Sequence, residues 1–160
     1  MLQRDSHHYM ERAYQEALRA FDEGEVPVGA VVTGPSGAII GRGRNAVERL
    51  SDATAHAEIL AIGAAAQRME TWRLNGCTLY VTLEPCMMCL GALLASRVDR
   101  IVYATTDPRL GAVDTFPHRD QILASYRTFP VIESGVMQQE CSELLKSFFR
   151  TLRANGKEPR

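Results

Sequence analysis

The stretch TLYVTLEPCMMCLGALLASRVDRIVYA (78–104) predicts a strand, a helix and a second strand in succession. The first strand covers 78–82, where β-branched and aromatic residues predominate. The helix begins after Pro85, which suits a first helical turn because no N–H donor is needed there. The second strand covers 100–104. One side of the helix carries the apolar residues Leu90, Leu93 and Leu94. Such a succession indicates a layered α/β fold.

The chain before this stretch predicts a helix, a hairpin and a second helix. Residues 28–33 and 38–41 are the two hairpin strands, and the Gly-Pro-Ser-Gly sequence at 34–37 favours a tight turn between them. Residues 41–51 show no apolar periodicity, so we expect a loop. The two helices carry apolar residues at helical spacing, namely Met10, Ala13, Tyr14, Ala17, Leu18 and Phe21 in the first and Ala57, Leu60, Ala61, Ala64 and Ala65 in the second.

The chain after residue 104 is less regular. Residues 105–130 show no clear pattern, 131–133 predict a short fifth strand, and 138–153 predict a final helix. The apolar stripe of that helix consists of Cys141, Leu144, Leu145, Phe148 and Leu152. Because strands and helices alternate along the chain, we expect an α/β sandwich.

Length and composition are those of one globular domain. The chain has 160 residues, which is enough to bury one core, so we expect a single domain over 1–160. With 46% hydrophobic and 23% charged residues, a disordered chain and a disulfide-rich miniprotein are excluded. No apolar run approaches the roughly 18 residues that cross a bilayer, and the polar start MLQRDSHHYMERAYQ (1–15) does not resemble a signal peptide. We therefore expect a cytoplasmic protein with no membrane partner.

The charge balance is close to neutral. The chain has 18 basic and 19 acidic residues and a formal net charge of −1. Proteins that coat nucleic acid are usually strongly basic, so any nucleic-acid contact is expected to be local. One basic stretch, 146–160, holds five basic residues and one acidic residue. It could steer RNA phosphates or be a solvated helix face.

Two short segments, His56-Ala57-Glu58 and Pro85-Cys86-Met87-Met88-Cys89, each open a predicted helix. Cys86 and Cys89 are three residues apart and share a helix face. The N-terminus of a helix also stabilises thiolates. With His56 they form a His/Cys/Cys set that suits zinc and leaves one tetrahedral position for water. This pattern predicts a catalytic rather than a structural zinc site.

Glu58 stands two residues after His56, close to the predicted open position. A carboxylate there can take a proton from water and pass it to a substrate. Zinc lowers the pKa of a bound water toward neutrality. The set therefore indicates hydrolytic attack on an amidine-like ring carbon, with loss of its amino group as ammonia, and Glu58 is the candidate catalytic residue.

The Cys-x-x-Cys pair taken alone has two other interpretations. A redox pair usually follows a first strand in a thioredoxin-like arrangement, whereas this pair follows the third predicted strand. A structural zinc site needs a fourth ligand, and Cys77, Cys141 and His118 have no matching spacing. The presence of His56 and Glu58 favours the catalytic hypothesis.

His-x-Glu followed by Pro-Cys-x-x-Cys resembles the signature of the zinc-dependent nucleobase deaminases, in the cytidine deaminase superfamily. Within that superfamily the chain is similar to the bacterial tRNA-specific adenosine deaminases, which convert the wobble adenosine of an anticodon to inosine. The zinc motif defines only the superfamily, while the first and last of the matching stretches point to the tRNA-acting branch. The matching stretches are EVPVGAVV (25–32), TAHAEILAI (54–62), LYVTLEPCMMCLGALLASRVDRIVYA (79–104) and ECSELLKSFFR (140–150).

The resemblance implies a cytidine deaminase-like three-layer α/β/α sandwich with a five-stranded mixed sheet. It also implies a homodimer whose RNA site lies near the subunit boundary. Its zinc ligands would be His56, Cys86 and Cys89, and Glu58 would move protons. The implied substrate contacts are Asn45 with the target base, Val28 and Ala57 lining the pocket, Asp107 with the sugar of the preceding nucleotide, and Phe149 and Arg150 with the tRNA anticodon loop.

Some of these residues also have simpler structural interpretations. Asn45 lies in a Gly- and Arg-rich segment and Asp107 precedes a proline, and both settings suit turns. Phe148 and Phe149 cannot both face the core of one helix. One of them is therefore expected to be exposed, where it could stack on a base or pack at a dimer interface.

Residues 115–130 depart from the family pattern. Related tRNA deaminases tend to carry an Asn-His element shortly before the last strand, whereas this chain reads SYRTFPVIESG (125–135). Three functions stay open: deamination of adenosine in a tRNA, deamination of a free nucleobase (guanine, cytosine or adenine), and zinc-bearing RNA binding without catalysis. Glu58 argues against the third, because a structural metal needs no proton shuttle.

Overall fold

Five strands of the described residues form one mixed sheet, as the family resemblance implies. The computed structural model describes residues 2–115, 120–121, 124–126 and 128–157. Its strand order is β2-β1-β3-β4-β5. The strands are β1 (Gly29–Thr33), β2 (Ile39–Arg44), β3 (Thr78–Leu83), β4 (Arg100–Thr105) and β5 (Val131–Ser134).

The strand directions bring several chain segments to one side of the sheet. β1 is antiparallel to both β2 and β3, whereas β3, β4 and β5 are parallel. The carboxyl ends of the three parallel strands therefore lie beside the start of β1 and the end of β2. We call this side the carboxyl edge. In open α/β sheets it is the side where ligands bind.

Helices cover both faces of the sheet, which confirms the three-layer α/β/α architecture. The described helices are α1 (Leu2–Asp22), α2 (Val47–Leu50), α3 (Ala57–Met69), α4 (Met87–Ala95) and α5 (Gln138–Ala154). α3 and α4 pack on one face, in a core that includes Val32, Val81, Leu93 and Ile101. α1 and α5 pack on the other, around Met10, Val31, Val102 and Cys141. None of the described helices has the length and apolar character that crossing a membrane requires.

The predicted loop over 41–51 is wrong at both ends, because β2 continues to Arg44 and α2 follows at Val47. Residues 41 and 43 of β2 face α3, and both are glycines. A Cβ at Gly41 would lie 2.2 Å from the carbonyl oxygen of Ala61. A Cβ at Gly43 would lie 2.2 Å from that of Ala57. The buried positions of β2 therefore alternate as in a strand. Because both are glycines, the alternation does not appear as a pattern of apolar residues.

The helix α2 depends on a contact that no local pattern reveals. Glu25 is buried and accepts hydrogen bonds from the backbone N–H groups of Glu48 and Arg49, at 3.2 and 2.6 Å. These are N–H groups that a short helix cannot satisfy internally. Glu25 thus holds the segment that leads from β2 toward His56.

Part of the irregular segment cannot be compared with its prediction. Residues 116–119, 122–123 and 127, which fall within 115–130, lie outside the described residues. So do 158–160 at the end of the basic stretch. The helix predicted over 138–153 is confirmed as α5, and Cys141 and Phe148 are the buried residues of its stripe.

The contact between β2 and α3 generates a prediction about stability. We expect Gly41→Ala to destabilise the fold by about 1–3 kcal/mol, because the added methyl group overpacks a backbone contact. The matched control is Gly63→Ala on the exposed side of α3, where a Cβ meets nothing within 4 Å. There alanine is expected to stabilise by about 0.5–1 kcal/mol. Urea unfolding of both variants measures the difference, and equal stability of Gly41→Ala and wild type would contradict the close packing.

Candidate active site

The three predicted zinc ligands lie at the starts of two helices. His56 is the N-cap residue of α3. Cys86 is the N-cap residue of α4, and Cys89 lies in its first turn. Cys86 follows the end of β3 by three residues, so the group lies at the carboxyl edge. The structure therefore brings together residues that are 30 and 33 positions apart in sequence.

The distances between the donor atoms fit a tetrahedral zinc site. His56 Nδ1 lies 3.6 Å from Cys86 Sγ and 3.5 Å from Cys89 Sγ. All three donor atoms lie within 4.8 Å of one another. Zn–N bonds of about 2.0–2.1 Å and Zn–S bonds of about 2.3 Å at tetrahedral angles place nitrogen and sulfur roughly 3.6 Å apart. The donor set is thus arranged to hold one metal ion.

The electrostatics of the cysteine pair also suit a cation. The Cys89 thiol donates to Cys86, lowering the pKa of Cys86 to about 4. The same hydrogen bond and burial raise the pKa of Cys89 above its usual range. The hydrogen bond with Cys86 raises the pKa of His56. The lowered pKa of Cys86 favours its thiolate form, and a negative sulfur beside His56 and Cys89 suits the binding of a cation.

Glu58 lies inside this group rather than on the surface. It is in the first turn of α3 and its side chain is buried. Burial raises the pKa of Glu58 to about 7. The nearby Cys86 adds to this rise, whereas His56 and a hydrogen bond from Cys89 oppose it. The structure therefore places an ionisable carboxyl group beside the metal-binding atoms, and its role in moving protons stays a prediction.

Backbone hydrogen bonds place three of the predicted pocket residues near this group. The Asn45 N–H donates to the Val28 carbonyl oxygen at 3.0 Å, and the Asn45 side chain is buried. The next residue, Ala46, donates its N–H to the Ala55 carbonyl oxygen at 3.0 Å. Ala57, fully buried, begins α3 immediately after His56. Asn45, Val28 and Ala57 thus all lie at the carboxyl edge.

Asp107 also lies at this edge, two residues after β4. Its Oδ1 accepts the backbone N–H groups of Arg109 and Leu110, at 3.0 and 3.1 Å. The structural interpretation of Asp107 as a turn residue is therefore confirmed. Only one carboxylate oxygen is used in these two bonds, so a role in substrate binding remains a prediction.

Phe149 and Arg150 lie on the last helix. Cys141 of α5 packs beside Met10 of α1, and the Phe148 ring is 5.6 Å from the Phe21 ring near the end of α1. α5 therefore runs alongside α1 toward the end that leads to β1. Phe148 is buried and Arg150 is exposed, but Phe149, expected to be exposed, is only half-exposed and its ring lies 5.5 Å from that of Phe148.

Two buried glutamates that sequence analysis gave no role border the site. Glu25 holds α2, and Glu84 lies between β3 and Cys86. Burial opposes the charge of Glu84, but N–H groups and the Thr115 hydroxyl bind its carboxylate and lower the pKa below its ordinary value. Both residues lie within stretches that carry the family resemblance. The sequence signal that could have found them is a charged residue directly beside an apolar strand.

Comparison with known families agrees with the fold and the donor set. Residues 3–105 match the cytidine and deoxycytidylate deaminase zinc-binding region. The chain belongs to this family and is a zinc-dependent deaminase. The match spans the segments that carry His56, Glu58 and both cysteine ligands.

Individual relatives identify a branch of the family to which the chain is similar in sequence. The tRNA-specific adenosine deaminase of Bacillus subtilis (strain 168) is 44% identical over 152 residues, covering 95% of this chain and 93% of that protein. The tRNA-specific adenosine deaminase of Aquifex aeolicus (strain VF5) is 43% identical over 153 residues, covering 92% and 96%. The chain belongs to the family of the tRNA-specific adenosine deaminases.

A solved structure supports the same relationship. It comes from a study of A-to-I editing by tRNA:A34 deaminases at the wobble position of transfer RNA. Its TM-score to this chain is 0.80 at 40% sequence identity, and the similarity covers 86% of this chain and 98% of the other. The fold therefore agrees over almost the whole length of that chain.

The donor geometry predicts how zinc binding responds to substitution. We expect His56→Ala to lose stoichiometric zinc, because only two sulfurs remain, while much of the fold persists. The matched control is Glu58→Gln, which leaves all three donor atoms in place and is expected to keep one zinc ion per chain. Metal analysis after dialysis measures both. Full zinc in His56→Ala would remove His56 from the ligand set.

Proposed function

We propose that the protein is a zinc-dependent hydrolase that converts the wobble adenosine of a tRNA anticodon loop to inosine. The observation that carries the proposal is the His/Cys/Cys set with the buried Glu58 carboxyl group beside it. The reaction consumes one water and releases one ammonia. Identity above 40% to two tRNA-specific adenosine deaminases over nearly the full chain supports adenosine in tRNA as the substrate.

The ligand set and Glu58 have different roles in the proposed reaction. His56, Cys86 and Cys89 would hold zinc, which supplies a Lewis acid that acidifies water for attack on C6 of the base. Glu58 accepts the proton that the water loses. It delivers that proton to N1 of the ring, takes the second proton from the oxygen that has added to C6, and passes this one to the exocyclic amine, which leaves as ammonia.

The substrate contacts are part of the proposal. Asn45 would bind the target base, with Val28 and Ala57 lining its pocket. Asp107 would contact the sugar of the preceding nucleotide. Their common location at the carboxyl edge supports these assignments. Because C6 is inaccessible in a stacked base, the adenosine must be turned out of the loop into the pocket.

The remaining RNA contacts would be local. Phe149 is half-buried and Arg150 exposed on the part of α5 that runs toward the carboxyl edge. An aromatic ring can stack on a base and a guanidinium can bind phosphate. With a net charge of −1, the protein has no excess of positive charge for binding along the whole tRNA.

The proposal extends to assembly and location. We propose a homodimer, because Met87, Met88 and Leu110 are large exposed hydrophobic residues in the segments that carry Cys86 and its neighbour Gly111. A second copy would cover them near the site. We also propose that the chain acts as one domain in the cytoplasm, where its four free cysteines would stay reduced.

An activity assay tests the proposed reaction. Zinc-loaded wild type is expected to form inosine and ammonia from an arginine-type anticodon stem-loop, and to release no ammonia from free guanine, cytosine or adenine. Zinc-loaded Glu58→Gln is the control and should be slower by at least about a hundred-fold, since it cannot move the proton. If only a free base releases ammonia, the protein is a free-base deaminase and not a tRNA deaminase. If no substrate releases ammonia, the protein is an RNA-binding module without this activity.

The dimer is tested separately by sedimentation. We expect wild type to sediment as a dimer and the double variant Met87→Lys, Met88→Lys to sediment as a folded monomer, because paired lysines cannot be buried together. The control is Val131→Lys, which replaces an exposed hydrophobic residue on β5 and should leave the dimer intact. A monomeric wild type at assay concentration would contradict the proposal.

A further inference from the structure

Glu84 is a buried carboxylate that binds one loop through several donors. Its side chain is 2% exposed and precedes Cys86 by two residues. The Oε1 atom accepts backbone N–H groups from Val113 at 3.1 Å, Asp114 at 2.8 Å and Thr115 at 3.1 Å. One oxygen thus fixes three consecutive residues.

The second oxygen binds the other end of the same loop. Oε2 accepts the backbone N–H of Asp107 at 2.9 Å and the Thr115 hydroxyl at 2.7 Å. A single side chain therefore joins both ends of residues 107–115, which we call the 107–115 loop. Hydrogen bonds to a buried charged group are among the stronger ones in proteins.

The loop is also attached directly to the segment that carries a zinc ligand. The Ala112 N–H donates to the Pro85 carbonyl oxygen at 3.0 Å, and Gly111 forms a β-bridge with Cys86. A Cβ at Gly111 would lie 2.3 Å from Glu84 Oε2, so loop and carboxylate are in close contact. Glu84, the loop and the ligand segment therefore form one packed unit.

The position of Asp107 depends on this unit. Asp107 directs the turn that follows it, because its Oδ1 accepts two N–H groups and its carbonyl oxygen accepts the Gly111 N–H at 2.9 Å. Its own N–H is held by Glu84. A change at Glu84 would therefore move Asp107 and its turn without removing a ligand atom or Glu58.

We propose that Glu84 is a positioning residue for RNA binding: its carboxylate sets the 107–115 loop so that Asp107 meets the nucleotide before the target adenosine. The substrate part of this inference rests on the proposed function. Glu84 does not touch the reacting atoms. Its effect is on how tightly the RNA is held, and the chemical step is left to Glu58.

Substitution of Glu84 by glutamine keeps the size and shape of the side chain but removes its negative charge and one of its two acceptor oxygens. An amide has one acceptor oxygen, and keeping it at the Oε1 position preserves the bonds from Val113, Asp114 and Thr115. The NH₂ group then takes the Oε2 position. The Thr115 hydroxyl can reverse and accept from it, but the Asp107 N–H cannot. Glu84→Gln is therefore expected to release Asp107 selectively.

Hydrogen exchange of the zinc-loaded full chain tests the positioning directly. In Glu84→Gln we expect the Asp107 amide to exchange about ten-fold faster, as the loss of a hydrogen bond to a charged group implies. Amides in α3 are expected to keep their wild-type rates. Unchanged exchange at Asp107, or equal acceleration in α3, would overturn the proposal, because the first shows no hold on the loop and the second shows general destabilisation.

Kinetics on the anticodon stem-loop test the consequence for RNA. Zinc-loaded Glu84→Gln should raise KM about ten-fold while kcat stays within about two-fold, the pattern of lost binding that is uniform between ground and transition states. A fall in kcat with KM unchanged would overturn the proposal, since it indicates a loss of active molecules. Glu70→Gln, exposed at the far end of α3, is the control and should change neither value.

A milder variant keeps the test decisive if Glu84→Gln does not fold. Thr115→Val removes one hydroxyl donor to the same carboxylate and leaves every N–H in place. It should shift exchange in the 107–115 loop and KM in the same direction, each by a smaller factor, and no shift in either would overturn the proposal. If wild type converts no stem-loop, the proposed function fails with the RNA half of this inference, while hydrogen exchange still decides whether Glu84 holds the loop.

Discussion

The close contact between α3 and β2 is the constraint on which the site depends. Gly41 and Gly43 leave no side chain between the strand and the helix backbone, so α3 lies directly on the sheet. Its first residues are thereby fixed at the carboxyl edge, where His56 Nδ1 comes within 3.6 Å of the two cysteine sulfurs. A preformed site needs donor atoms on two separate helices at fixed distances, and this contact fixes the position of the helix that begins after His56.

Three buried glutamates show how environment decides the role of one residue type. Glu58 is buried among His56 and the cysteines, and its pKa rises to about 7. Glu84 is equally buried, but N–H and hydroxyl donors outweigh the cost of burying its charge and lower its pKa. Glu25 accepts two N–H groups from α2. The first is suited to moving protons, whereas the other two hold backbone segments that border the site.

Much of the fold could be predicted because its signals are local. The strand at 78–83 is rich in β-branched and aromatic residues, and α3 and α5 carry apolar positions at helical spacing. The metal ligands were predictable because His-x-Glu and Cys-x-x-Cys each place their residues within one helical turn. The end of β2 was missed because glycine, not an apolar residue, occupies its inward positions. The roles of Glu25 and Glu84 were missed because their partners lie 23 to 31 residues away.

Local and distant contacts also have different proposed functions: local contacts position the metal-binding and proton-moving residues, and distant contacts position the residues proposed to bind RNA. The residues proposed to hold the metal and move protons lie at the starts of α3 and α4. Residues proposed to select the RNA, such as Asp107, lie on segments between secondary-structure elements, where sequence can vary without loss of the core. Such a segment binds specifically only if it is ordered before the ligand arrives, since otherwise binding must supply the cost of ordering it. The buried Glu84 carboxylate, which joins both ends of the 107–115 loop, supplies that order from within the protein. Because Glu84 lies two residues before Cys86, it would link the proposed RNA contact to the metal-binding segment.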